Sequence, residues 1–145
     1  MKLAGLKLTA AQGAQEKTAE QRRREKLMLR LDEQLKLAIA AVRGEKYKAQ
    51  KLRTVFDEST GVRTRVEVDK RVKQWWFAID GGKLALAVRY GSAVLELARG
   101  KYSIEVRDIA EMADTIAVVR EAVATGELDA QITAAATKLK KGFVK

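Results

Sequence analysis

Apolar side chains recur along this chain with two different periods. From Leu27 to Val42 they fall at spacings of three and four (Leu27, Leu31, Leu35, Ala38, Ile39, Val42), the stripe of an amphipathic helix. Thr18 and Gln21 form a capping-box pattern ahead of it, and Gly44 supplies the stop. A helix over 18–43 follows, roughly 37 Å long at about 1.5 Å per residue. From Leu52 the period changes to two. "LRTVFD" and "VRTRVEV" flank "ESTG" as a hairpin, and "VKQWWFAI", "KLALAVRY", "AVLELA" and "KYSIEV" follow with short glycine turns between them. Asp108 and Glu111 repeat the capping pattern before Ile109, Met112, Ala113, Ile116, Val119 and Val123, and Gly126 ends that helix. "ELDAQITAAATKLKK" predicts a last one, with Leu128, Ile132, Ala135 and Leu139 aligned.

These elements predict an α+β protein. It has an antiparallel sheet of about five to six strands, a long N-terminal helix and two C-terminal helices, because short connections favour antiparallel neighbours. The chain reads as a single domain over 1–145, with a flexible arm at 1–17, a basic helix at 18–43, the sheet at 52–107 and C-terminal helices at 108–140. In the arm, Leu3, Leu6 and Leu8 stand among lysines, suited to docking or to plain disorder.

Strand parity assigns faces. Val62, Thr64, Val66 and Val68 share one side, leaving Arg63, Arg65 and Glu67 on the other. In "VKQWWFAI" the more apolar set is Trp75, Phe77 and Ile79, leaving Gln74, Trp76 and Ala78 outside. Leu84, Leu86, Val88, Tyr90, Leu95, Leu97, Tyr102, Ile104 and Val106 are expected to face inward. The outer face then collects Arg53, Arg63, Arg65, Trp76, Lys83 and Arg89, with small Ala85 and Ala87 between them. A bulge between Asp69 and Val72, where the alternation breaks, would invert this relation between the strands.

Charge adds a direction to the pattern. Lysines and arginines number 29 against 19 acidic residues, for a net charge of +10. The excess lies in residues 1–56, with 14 basic and 6 acidic side chains; residues 108–145 are nearly balanced at 5 and 6. After Asp129 every charge is positive, through Lys138, Lys140, Lys141 and Lys145. The pI near 9.9 is that of nucleic-acid-binding domains, although generic solubility and attraction to an anionic membrane give the same sign. No apolar run is long enough to span a membrane, and the N-terminus lacks the apolar core of a signal peptide, so a cytoplasmic location is expected.

Composition also removes chemistry. The chain has no cysteine and no histidine, which excludes disulfides, thiolate metal sites and the commonest general base. Glu67, Asp69 and Lys70 in "VEVDK" are the nearest approach to a metal-nuclease cluster, but that spacing is common on any solvated strand. "DGGK" lacks the spacing of a phosphate loop. The expectation is therefore a protein that is not an enzyme and needs no cofactor or metal.

The cations of "QRRREK" stand near a helix N-terminus, where they oppose the macrodipole, so helix stability does not explain them. Single-stranded nucleic acid fits a platform on which Trp76 stacks bases and arginines hold phosphates. The candidate binding residues are Arg22, Arg23, Arg24, Lys26, Arg30, Arg53, Arg63, Arg65, Lys73, Trp76, Lys83 and Arg89. The competing reading buries Trp76 under the long helix or in a subunit interface, and a homo-oligomer accommodates both. A protein–protein module using the long helix and the leucine arm, or general RNA or duplex DNA binding, is the alternative function.

"KLAGLKLTAA", "QRRREKL", "LRTV", "KRVKQWWF", "LAVRYGSAVLELARGK" and "GELDAQI" together resemble a family of small uncharacterised bacteriophage and prophage proteins, over nearly the whole chain. The chain is also similar to the single-stranded-DNA-binding RNA polymerase cofactors of N4-related Pseudomonas viruses. That resemblance implies binding at locally melted promoters, recruitment of a phage-encoded RNA polymerase, a bacterial host cytoplasm and a fold unlike the OB barrel. It carries no site residue across, and the sites above rest on parity and charge.

Overall fold

A computed structural model describes residues 3–47 and 49–143; Lys2 and Lys145 lie outside them. The first helix, α1 (Ala19–Val42), starts at a complete capping box. The Thr18 hydroxyl accepts the Gln21 N–H at 3.1 Å, and the Gln21 side chain accepts the Thr18 N–H at 2.9 Å. Leu27, Leu31 and Ala38 bury the predicted stripe, whereas Ile39 and Val42 run past the core and stay exposed. Its main partner is α2 (Ile109–Thr125), capped by Asp108 through the Glu111 N–H at 2.9 Å. Gly126 ends α2 in the left-handed region (φ 88°) and turns the chain into α3 (Asp129–Phe143). No helix among the described residues is long and apolar enough to cross a membrane.

The protein is α+β with antiparallel strands, as predicted, and among the described residues the strands divide into three small sheets. A ribbon pairs β1 (Ala49–Asp57) with β2 (Val62–Lys70). A second sheet places β3 (Trp76–Ala78) and β7 (Ile104–Val106) on either side of β4 (Leu84–Leu86). A short pair joins β5 (Arg89–Tyr90) to β6 (Ala93–Val94). Trp76, Leu86, Val88, Leu95 and Val106 from the strand region meet Leu27, Leu31, Met112, Ile116, Val123 and Ile132 from the helices in one core. Each fully buried large aliphatic contributes about 1.5–3 kcal/mol.

The tryptophan pair takes the opposite arrangement to the one strand parity favours. Trp76 is buried with 6% of its surface exposed, while Phe77 is 47% exposed. The cause is register: Trp76 lies opposite Leu86 and Ala78 opposite Leu84, so Trp76 shares the leucine face of β4. Residues 71–75 belong to no strand, and this break uncouples the parity of β3 from that of β2. Ala85 and Ala87 are buried too, so the low-relief outer face does not form. Tyr102, expected inside, is exposed, its hydroxyl 3.4 Å from Glu96.

The β1–β2 ribbon stands apart from this core. Nine residues of each strand pair, from Ala49 opposite Lys70 to Asp57 opposite Val62, and no ribbon residue is buried. At about 3.3 Å per residue each strand reaches roughly 30 Å. Asp57 closes the hairpin by accepting the Ser59 N–H at 2.9 Å and the Ser59 hydroxyl at 2.6 Å. Those bonds hold its carboxyl below the ordinary range. At the base, Lys70 donates to Glu33 of α1 at 2.9 Å.

Candidate nucleic-acid interface

Where the ribbon meets α1, the end of β2 at Lys70 and the irregular residues 71–73 cross the helix and leave a cleft of about 350 Å³. That volume lies within the about 300–1,000 Å³ of small-ligand sites. Lys26 and Arg30 come from α1, Lys70, Arg71 and Lys73 from the crossing segment, and Arg89 from β5. Trp75 and Tyr90 supply the aromatic surface.

Gln34 fixes the segment in place. Buried in α1, its side-chain amide donates to the Lys73 carbonyl at 2.8 Å and accepts the Trp75 N–H at 2.9 Å. Residues 73 and 75 have no ladder partner through those groups, so a side chain provides the bonds that a strand would otherwise make. Trp75 is thereby half-buried, packed against the core on one part and lining the cleft with the rest.

Six cations face one carboxylate, so the cleft favours anions. Glu33 is bonded by both Lys70 and Arg30 at 2.9 Å. Partial burial pushes its carboxyl up, and the bonds from Lys70 and Arg30 outweigh this and hold it below the ordinary value. Lys26, Arg71, Lys73 and Arg89 have no carboxylate partner among the described residues. Lys26 lies 5.0 Å from the Tyr90 ring centroid, a cation–π distance that positions its ammonium at the cleft wall. Arg22, Lys26 and Arg30, four residues apart, continue the positive stripe along α1.

The predicted site residues separate into groups. Lys26, Arg30, Lys73 and Arg89 converge on the cleft, and exposed Arg22 extends it. Half-buried Arg23 lies one residue around α1 and does not line the cleft. Arg24 instead holds α1 to α3: its Nε donates to Asp129 at 2.8 Å and its Nη2 also bonds that carboxylate. A Cβ on Gly126 would sit 2.8 Å from the Arg24 guanidinium, so glycine there answers both φ and space. Lys83 pairs with Glu105 at 3.7 Å, outside the cleft.

Arg53, Arg63 and Arg65 lie on the ribbon, and they do not share a face. Arg53 is opposite Val66, whereas Arg63 and Arg65 are opposite Phe56 and Thr54 on the other side. Trp76 borders a separate open depression with Arg71, Val72, Lys73 and Gln74, and with 6% of its surface exposed it offers little ring face to a base. Sequence parity missed Trp75, Tyr90, Lys70 and Arg71. Their signal is the run "DKRVK" ahead of the tryptophans, where alternation fails and cations crowd an aromatic.

No curated protein and no solved structure matches the chain. A family model does match, over residues 6–132, which include α1, the ribbon, every residue of the cleft and the start of α3. The chain belongs to DUF6641, a family of unknown function.

Proposed function

We propose that the cleft binds single-stranded DNA with little sequence preference. The observation that carries this reading is Trp75, half-exposed amid Lys26, Arg71, Lys73 and Arg89, none of which is neutralised by a carboxylate among the described residues. A base stacks on the indole while its flanking phosphates meet the four cations, and Arg30 and Arg22 continue the track. A duplex keeps its bases stacked inside and offers no face to Trp75. Gln34, the one amide side chain among the described lining residues, is consumed by the backbone, which fits backbone recognition in place of base reading.

In this reading the protein acts as a homo-oligomer in phage transcription, recruiting a phage-encoded RNA polymerase to melted promoters, or in replication. The resemblance of the sequence segments to the cofactors of N4-related viruses motivates that setting and a bacterial host cytoplasm as its location. The deciding experiment titrates the protein with single-stranded DNA, duplex DNA and RNA over a salt series while following tryptophan fluorescence. Quenching by single strands that disappears in Trp75→Phe supports the cleft. Equal affinity for duplex, or an affinity indifferent to salt, refutes it.

A further inference from the structure

Among the described residues the β1–β2 sheet has only two strands, so the outer edge of β2 is unpaired there over nine exposed or half-exposed residues. Such an edge is a template for another strand. Its side chains carry a pattern that specifies which one. On one face β2 presents Arg63, Arg65, Glu67 and Asp69, two cations followed by two carboxylates. Across the ladder stand Phe56, Thr54, Leu52 and Gln50, none of them charged. None of the four β2 charges has an ion-pair partner among the described residues. Reversed, this row is its own complement.

The geometry points to a homodimer in which β2 pairs antiparallel with β2 of a second copy, about a twofold axis at Val66. Arg65 then lies opposite Glu67 of the second copy and Arg63 opposite its Asp69, each pair occurring twice by symmetry. On the other face Val66 meets itself and Thr64 meets Val68, a short apolar strip at the axis that Val55 of each β1 extends and that Lys51, Arg53 and Asp57 of β1 flank. Register is well determined. Moving the axis one residue either way sets Arg65 against Arg65 or Glu67 against Glu67, like charges directly opposite. A nucleic acid is the poorer occupant, because Asp57, Glu58, Glu67 and Asp69 nearly balance Lys51, Arg53, Arg63, Arg65 and Lys70 along the ribbon and leave little net attraction for phosphate. The dimer also sets two copies of Lys70, each at its own cleft, roughly 26 Å apart along the shared strands at about 3.3 Å per residue.

Sedimentation velocity on the full chain, without nucleic acid, tests the pairing independently of any DNA affinity. The wild-type protein is expected to be a dimer at micromolar concentration. R65E and E67R each place like charges in two symmetric pairs and weaken it at least about tenfold, and R65E/E67R restores it. Circular dichroism confirms that each variant is folded. The chain has no cysteine, so V66C gives a second readout: it forms an intermolecular disulfide on oxidation, whereas V62C, facing Lys70 of the second copy, does not. A monomeric wild type, single variants that dimerise normally, or a double variant that stays monomeric overturns the proposal.

Discussion

The Gln34 side chain in α1 holds the Trp75 N–H at 2.9 Å and the Lys73 carbonyl at 2.8 Å. One buried amide thus sets the path of the segment that separates the ribbon from β3, and with it the side to which each tryptophan turns.

Gln34→Ala leaves the Trp75 N–H and the Lys73 carbonyl, both partly buried, without these partners. Stability is expected to fall by about 1–3 kcal/mol, measured by urea unfolding. Single-strand affinity falls with it, because Trp75 loses its anchor at the cleft.

The tryptophans separate by function under substitution. Trp76→Ala removes a core ring opposite Leu86 and should destabilise the fold by about 3–5 kcal/mol. Trp75→Ala should weaken single-strand binding by about 1–3 kcal/mol and leave a folded protein, as read by binding isotherms alongside thermal melts. If Trp76→Ala melts like wild type and loses binding instead, the assignment is reversed.

Cations should sort in the same way. The four without carboxylate partners at the cleft, with Arg22 and Arg30 continuing the track, predict a slope of log affinity against log salt between about −3 and −4, at about −0.7 per phosphate contact. Lys73→Ala and Arg71→Ala should each flatten that slope by about 0.7. Arg24→Ala leaves the slope unchanged and lowers the melting temperature, since its guanidinium is engaged by Asp129.

Acid should destabilise the protein through its lowered carboxyls, among them Asp129 and Glu33 as well as Asp57 of the hairpin. Asp129 is held below its ordinary value of 3.8 by the hydrogen bond from Arg24, and Glu33 lies below 4.5 despite its partial burial. Both stay ionised in the folded chain at pH values where the unfolded chain takes up protons. Their contribution is complete above about pH 4.5 and is lost as pH falls through the lower folded values. Asp129→Asn should make the decline in stability below pH 4.5 shallower in unfolding curves collected across that range.

Local signals determined much of this protein. Thr18 with Gln21, Asp108, and Gly126 mark helix ends because the bonds and backbone angles that cap a helix involve residues a few positions apart. The period of two announced antiparallel strands, and the uneven charge announced α1 as the basic side. The cleft was legible only in part: Lys26, Arg30, Lys73 and Arg89 were visible as cations, but their convergence on Trp75 was not. Tertiary structure decided which tryptophan is buried. The two faces of "VKQWWFAI" are almost equally apolar, so the choice passed to the register with Leu86 and to the Gln34 bonds, made by residues ten and about forty positions away. It also decided that Arg24 holds a helix in place and that Arg53 lies across the ribbon from Arg63 and Arg65, because ion pairs and ladder register join residues whose separation along the chain no local pattern records. The pair at 75 and 76 thus owes its presence in a strand region to sequence, and the direction in which each ring points to the fold.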